Sequence, residues 1–269
     1  MKKFFLLTAL AALTAGSAQA ASGPKPLKVL LIAGGCCHDY AAQKDILKKG
    51  LEARANVTVD IIFTPDGSTK PPLSILGHPD YAKGYDVVLH DECAADIKDP
   101  VIVDAVLYPH KHGIPGVNLH CAMHCYRVGD PNKKQAIGTA EALWFDYLGL
   151  QSSGHGAQRP IDISFVDAAH PITMGLTNWT TINEELYNNI QVLPSAHALA
   201  RGKQGNTETV VSWVNQYGKT RVFSTTIGHN NKTVSDERYL DLVTRGLLWA
   251  CNKLDDKGQP KKGYGPVTK

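Results

Sequence analysis

LKVLLIAGGCCHDY, residues 27–40, is the stretch from which the rest of the chain can be read. Its first seven residues are apolar apart from Lys28, which fits a strand buried on both faces of a parallel sheet. Gly34-Gly35 ends the run, and Cys36, Cys37, His38 and Asp39 form a loop. A helical pattern follows over 41–55, with Ile46, Leu47 and Leu51 on one side. Downstream, strands are expected at 57–63, 85–90 (YDVVLH) and 115–119 (PGVNL), with helices near 100–111 and 139–148. Strand alternating with helix is the signature of a parallel sheet joined by crossovers. The Pro/Gly-rich connection at 64–84 is long enough to suggest a functional loop. The second half reads as short strands at 161–166, 193–201, 210–214 and 221–227, a hairpin turn at 217–220, and a closing helix at 235–253. Leu242, Val243, Leu247, Leu248 and Cys251 recur in that helix at helical spacing. These elements predict an α/β fold, a three-layer sandwich with a mainly parallel sheet and an antiparallel edge.

Composition sets the outer bounds. The 269 residues are 43% hydrophobic and 20% charged, with 28 Lys+Arg against 25 Asp+Glu, which excludes a disordered chain. Residues 1–20 read as a secretory signal peptide: Lys2 and Lys3 precede an apolar run, and Ala18-Gln19-Ala20 is a small-x-small cleavage site. The expected location is therefore periplasmic or secreted, with no membrane contact after cleavage. Without Lys2 and Lys3 the balance is 26 basic to 25 acidic, too even for a nucleic-acid partner. One α/β domain is expected over 21–253, followed by a polar, disordered tail at 254–269. Six cysteines in an exported chain invite disulfides, although Cys36 and Cys37 are not expected to bridge to each other.

Reactive side chains fall where strands end. His38 and Asp39 follow the first strand, and His90, Asp91 and Glu92 close the third. His120 and His124 follow the fourth, and His229 follows the last. In an open parallel sheet the carboxyl ends share one edge, and ligands bind in the crevice outside it. His120, His229 and Glu92 are the candidate catalytic acid/base groups. His38, Asp39, Arg127, Glu185 and Tyr187 are candidates for substrate contact. Imidazoles with a carboxylate suit zinc or a similar divalent ion, with His120, His124 and His229 as candidate ligands and Glu92 second. Neither HExxH nor paired CxxC occurs to name the metal. Cys121, two residues past the strand end, is a weaker candidate nucleophile, because the small flanking residues of a nucleophile elbow are missing.

An ordered set of stretches carries a resemblance to a known family. VLLIAGGCCHDY, YDVVLHDE, GVNLHCAMHCYR, HPITMGL, NEELYN, VVSWVNQYGKTRVFSTTIGH and RGLLWAC resemble the trehalose-utilisation (ThuA-like) family. That family has a class I glutamine-amidotransferase-like, flavodoxin-like fold. The resemblance implies a role in carbohydrate metabolism, with a sugar or keto-sugar from disaccharide breakdown as the small-molecule partner. Where amidotransferases place their cysteine nucleophile this chain has His120, so the resemblance does not imply glutamine hydrolysis. Two functions remain open: an enzyme using His/carboxylate or metal-assisted chemistry, and a non-catalytic protein that binds a sugar or other small polar ligand.

Overall fold

The structure is a computed structural model that describes Met1 and residues 23–267. Apart from Met1, the expected signal peptide lies outside the described residues. The first half of the chain gives β1 (Leu27–Gly35), β2 (Val57–Thr64), β3 (Val87–Cys93), β4 (Gly116–Leu119) and β5 (Leu150–His155). The second half adds β6 (Arg159–Phe165), β7 (Trp179–Glu184), β8 (Tyr187–Val192), β9 (Ala196–Gln204), β10 (Thr207–Tyr217) and β11 (Thr220–Thr225). The helices are α1 (Tyr40–Arg54), α2 (Pro100–Lys111), α3 (Leu143–Leu148), α4 (Asn231–Val234) and α5 (Glu237–Ala250).

Among the described residues, nine strands form one sheet in the order β2-β1-β3-β4-β11-β10-β9-β6-β7. The first five are mutually parallel, whereas β10, β9, β6 and β7 pair antiparallel. The expected antiparallel edge is thus four strands deep. β5 and β8 pair separately. The alternation of side chains along β1 divides the core into two layers. Val29 and Leu31 face the layer that holds Leu47 of α1 and Leu247 of α5. Leu30 and Ile32 face the layer that holds Val103 of α2 and Trp144 of α3. Burial of both faces of β1 is what its continuous apolar run requires.

The tail departs from expectation. Leu254 is buried and bridges Pro260. The Asn56 N–H donates to the Tyr264 carbonyl, and the Asn56 side-chain amide donates to the Gly263 carbonyl. Residues 254–267 are therefore fastened to the α1–β2 turn rather than trailing free: Asn56 satisfies their backbone, and Leu254 and Tyr264 supply apolar contact. Among the described residues no helix is long and apolar enough to cross a membrane.

Candidate metal centre

The carboxyl ends of β1, β3, β4 and β11 share one edge, and three histidine-bearing loops converge there. After β1 the chain turns at Gly35, with φ at +98°. A Cβ at Gly35 would lie 2.1 Å from the Cys93 carbonyl oxygen, so only glycine lets the two strand ends approach this closely. His38 follows in the loop, and Asp39 caps α1 by accepting from the Ala42 N–H. Asp39 also accepts from the Asn231 side-chain amide at 2.8 Å. These two bonds fix the exposed Asp39 carboxylate at the rim of the site, where each oxygen keeps a lone pair open to a ligand.

His120 is the first residue after β4 and adopts φ +43°, a left-handed backbone uncommon outside glycine. Its Nδ1–H donates to the Thr226 carbonyl at 2.6 Å, which leaves the Nε2 lone pair aimed into the crevice. His229 sits in the loop after β11, and Glu184 holds that loop. The Glu184 carboxylate accepts from the backbone N–H groups of Gly228, His229 and Asn230 at 3.2, 3.0 and 3.2 Å. Gln43 of α1 donates to the carbonyls of Gly228 and His229. The neighbouring Glu185, in the short link between β7 and β8, points instead at the histidines.

His38, His120, His229 and Glu185 each offer one ligand atom, and these four atoms all lie within 4.8 Å of one another. The Glu185 carboxylate is 3.4 Å from His120 Nε2 and 3.2 Å from His229 Nδ1. His38 Nδ1, His120 Nε2 and His229 Nδ1 are buried and lack any well-aligned hydrogen-bond partner. Buried polar atoms are rarely left unsatisfied, and three in one cluster call for a common acceptor of their lone pairs.

Protonation agrees with that geometry. Burial, with His120 and His229 nearby, lowers the His38 pKa to about 3 and keeps its imidazole neutral. For Glu185, burial opposes ionisation, but the closeness of the His120 and His229 imidazoles outweighs it and holds the carboxyl below the usual carboxylate range. The Glu185 carboxylate beside it raises His229. His38 is thus held as a neutral donor and Glu185 as an anionic oxygen, and an ion would take the place of the proton that Glu185 favours on His229. Three imidazoles with one carboxylate suit zinc or another first-row divalent ion.

Two expected site residues are placed differently. His124 is not in the cluster: it is buried beyond Tyr187, stacks on that ring at 4.2 Å, and its Nε2 bonds the Ser152 hydroxyl at 2.9 Å. Burial, then Arg127, pushes its pKa well below the ordinary histidine value. His38 occupies the place in the ligand set that the sequence suggested for His124. Glu92 is fully buried on the α2 side, where His90 Nδ1 lies 2.8 Å from Oε1 and the Tyr126 hydroxyl donates to the same oxygen. His110 donates from Nδ1 to the Ile114 carbonyl, so its Nε2 accepts from His90 Nε2 at 3.2 Å. One proton must therefore lie between His90 Nδ1 and Glu92, which makes Glu92 part of a closed internal network. Glu185 takes the carboxylate role expected of Glu92.

Arg127 and Tyr187 do line the cavity of about 200 Å³ beside the cluster, together with His155, which is exposed at the mouth. His155 Nε2 is 3.5 Å from Glu185. Contrary to the sequence expectation, Cys36 and Cys37 bridge to each other across a Cα separation of 3.7 Å. The left-handed backbone at Cys37, φ +84°, turns the adjacent side chains to one side. Cys121 is buried, and its contact with Cys93, then burial, raise its thiol well above the ordinary range. That is a poor setting for a nucleophile.

Residues 28–250 match the ThuA family, described as trehalose utilisation. The chain belongs to this family. A solved protein described as ThuA-like, from Parabacteroides merdae, shares 19% identity with a TM-score of 0.65, over 91% of this chain and 98% of that one. A second, from Bacteroides uniformis, shares 15% identity at a TM-score of 0.61, over 88% and 96%. A protein from Thermoplasma acidophilum, described as part of a GMP synthase, shares 14% identity at 0.53, over 85% and 96%. Such distant likeness establishes the fold alone, and it places the chain among flavodoxin-like ThuA sandwiches with glutamine-amidotransferase-like architecture. No curated protein matches the chain.

Proposed function

We propose that this ThuA-family chain is an exported, metal-assisted enzyme of carbohydrate metabolism, acting on a sugar or keto-sugar. The observation that carries the reading is the set of three unpartnered imidazole nitrogens gathered with Glu185. His38, His120, His229 and Glu185 would hold a divalent ion such as zinc, which as a Lewis acid polarises a sugar carbonyl or hydroxyl. The chain's own groups supply the rest. His155 and Arg127 stand at the cavity to bind hydroxyls or an enolate-like oxygen. Tyr187, with its hydroxyl buried and unpartnered, closes the inner wall. His155, outside the ligand set and exposed at the mouth with its Nε2 3.5 Å from Glu185, is the group placed to carry a proton. The family description, trehalose utilisation, supports a disaccharide-derived substrate.

Metal analysis of untagged protein, with turnover assays on trehalose and keto-disaccharides followed by mass detection, tests the proposal. About one equivalent of ion is expected. His120→Ala and His229→Ala should each lose it and abolish turnover while keeping a wild-type circular dichroism spectrum. Metal-free protein indifferent to chelator, or variants with unchanged turnover, would overturn the reading. Ion and sugar binding without product would point to a binding protein.

A further inference from the structure

Beside the histidines, the same cavity has a wall of sulfur. β1 and β3 run parallel with Gly35 opposite Cys93, so the chain leaves β1 at Cys36 directly beside the end of β3. The Cys36–Cys37 disulfide sits on this loop, and the Cys93 Sγ is 3.4 Å from Cys36 Sγ. Cys37 is exposed, Cys36 half-buried and Cys93 buried. One sulfur of the bridge thus meets solvent while the other meets an internal free thiol.

We propose that these three cysteines form a thiol–disulfide exchange centre, with Cys93 as resolving thiol, that reacts with small thiols and disulfides from solution. In the internal step the Cys93 thiol gives its proton to solvent and its sulfur attacks Cys36 Sγ. A Cys36–Cys93 bond forms, the Cys36–Cys37 bond breaks, and the released electron pair on Cys37 takes a proton from solvent. One disulfide replaces another, so no external oxidant or reductant is consumed. Contact with Cys121 holds the Cys93 thiol below its ordinary range, which favours the attacking form. A thiol from solution that attacks Cys36 across the cavity releases the exposed Cys37 as a thiol and leaves a mixed disulfide on Cys36, which the Cys93 sulfur then resolves by expelling the outside thiol. The inference does not depend on a metal in the neighbouring cluster.

The test uses the full chain carrying Cys37→Ser, which leaves Cys36 free beside Cys93. The protein is incubated with oxidised glutathione at neutral pH, quenched in acid, alkylated unfolded and mapped by mass spectrometry without reduction. Glutathione captured on Cys36 should be lost to Cys93, giving a Cys36–Cys93 linked peptide. In Cys37→Ser with Cys93→Ser, glutathione should remain on Cys36. Glutathione retained on Cys36 in the single variant, with Cys93 alkylated, would overturn the proposal. Should Cys37→Ser fail to fold, wild-type protein with trace reduced glutathione decides the question. A Cys36–Cys93 link with alkylated Cys37 supports exchange, and Cys36–Cys37 as the sole bridge excludes it.

Discussion

His110 and His124 are buried histidines whose neutral form the fold enforces. Burial, with His90 beside it, lowers His110 to about 3, and burial with Arg127 lowers His124 well below the ordinary value. His38 follows them. In the unfolded chain each would protonate near pH 6.5. A depressed histidine contributes stability that is whole above the unfolded pKa and is lost as pH falls toward the folded one. His229, raised by Glu185, has the opposite sign, so its stabilisation is present at low pH and lost as pH rises through its folded pKa. His170 is lowered by burial as well, so four depressed groups against one raised group give a net loss on acidification. Each unbalanced proton contributes a slope of up to about 1.4 kcal/mol per pH unit. Urea unfolding of chelator-treated protein between pH 7 and pH 5 should therefore show stability falling as pH falls. A flat or inverted profile would contradict the burial of these rings. The sequence showed the histidines but not these states, because adjacent residues can have opposite surroundings. Glu184 and Glu185 make the point: one is spent on three backbone N–H groups and the other faces the cluster.

At the scale of elements, the crevice was legible because strand ends in a parallel sheet must share an edge. Placing His38, His120 and His229 required only the order of strands and the residue following each. The carboxylate was harder to place. Glu92 ends a strand of the parallel block, yet alternation along β3 turns it to the α2 face, into contact with His90 and Tyr126. Glu185 arrives from the link between β7 and β8, two strands the sequence did not reveal, and it entered the candidate list only as a substrate contact. The vicinal bridge was missed because it depends on the positive φ of Cys37, which composition does not display. The β7–β8 link also determines how firmly His229 is presented. Glu184→Gln keeps the shape but weakens its hold on the N–H groups of Gly228, His229 and Asn230. The expected result is a loss of metal affinity of about 10–100-fold, typical of outer-shell partners, with His229 still present. Calorimetric titration with zinc measures it, and unchanged affinity would remove Glu184 from the positioning role.

For the whole molecule, the centre acts as a clasp between parts of the chain far apart in sequence. His38 belongs to the β1–α1 loop, His120 to the end of β4, Glu185 to the antiparallel flank and His229 to the loop after β11. A ligand that bridges all four favours the folded state over the unfolded one, where those groups are dispersed. The linkage is RT ln(1 + [L]/Kd), about 2.7 kcal/mol when free ion stands at one hundred times its Kd. A domain of this size shifts its melting temperature by about 2–4 °C per kcal/mol. Supplying the ion to chelator-stripped protein at that excess should thus raise the Tm by roughly 5–10 °C. The increment should vanish in His120→Ala and shrink in Glu184→Gln, whose cluster is intact but less firmly held. The tail provides the contrast. Removing residues 254–267 deletes the bonds from Asn56 to Gly263 and Tyr264, at the opposite ends of the strands from the cluster, so it should lower the Tm with and without ion equally. A Tm insensitive to ion in the wild-type chain, or an ion increment that survives His120→Ala, would separate the histidine cluster from metal binding altogether.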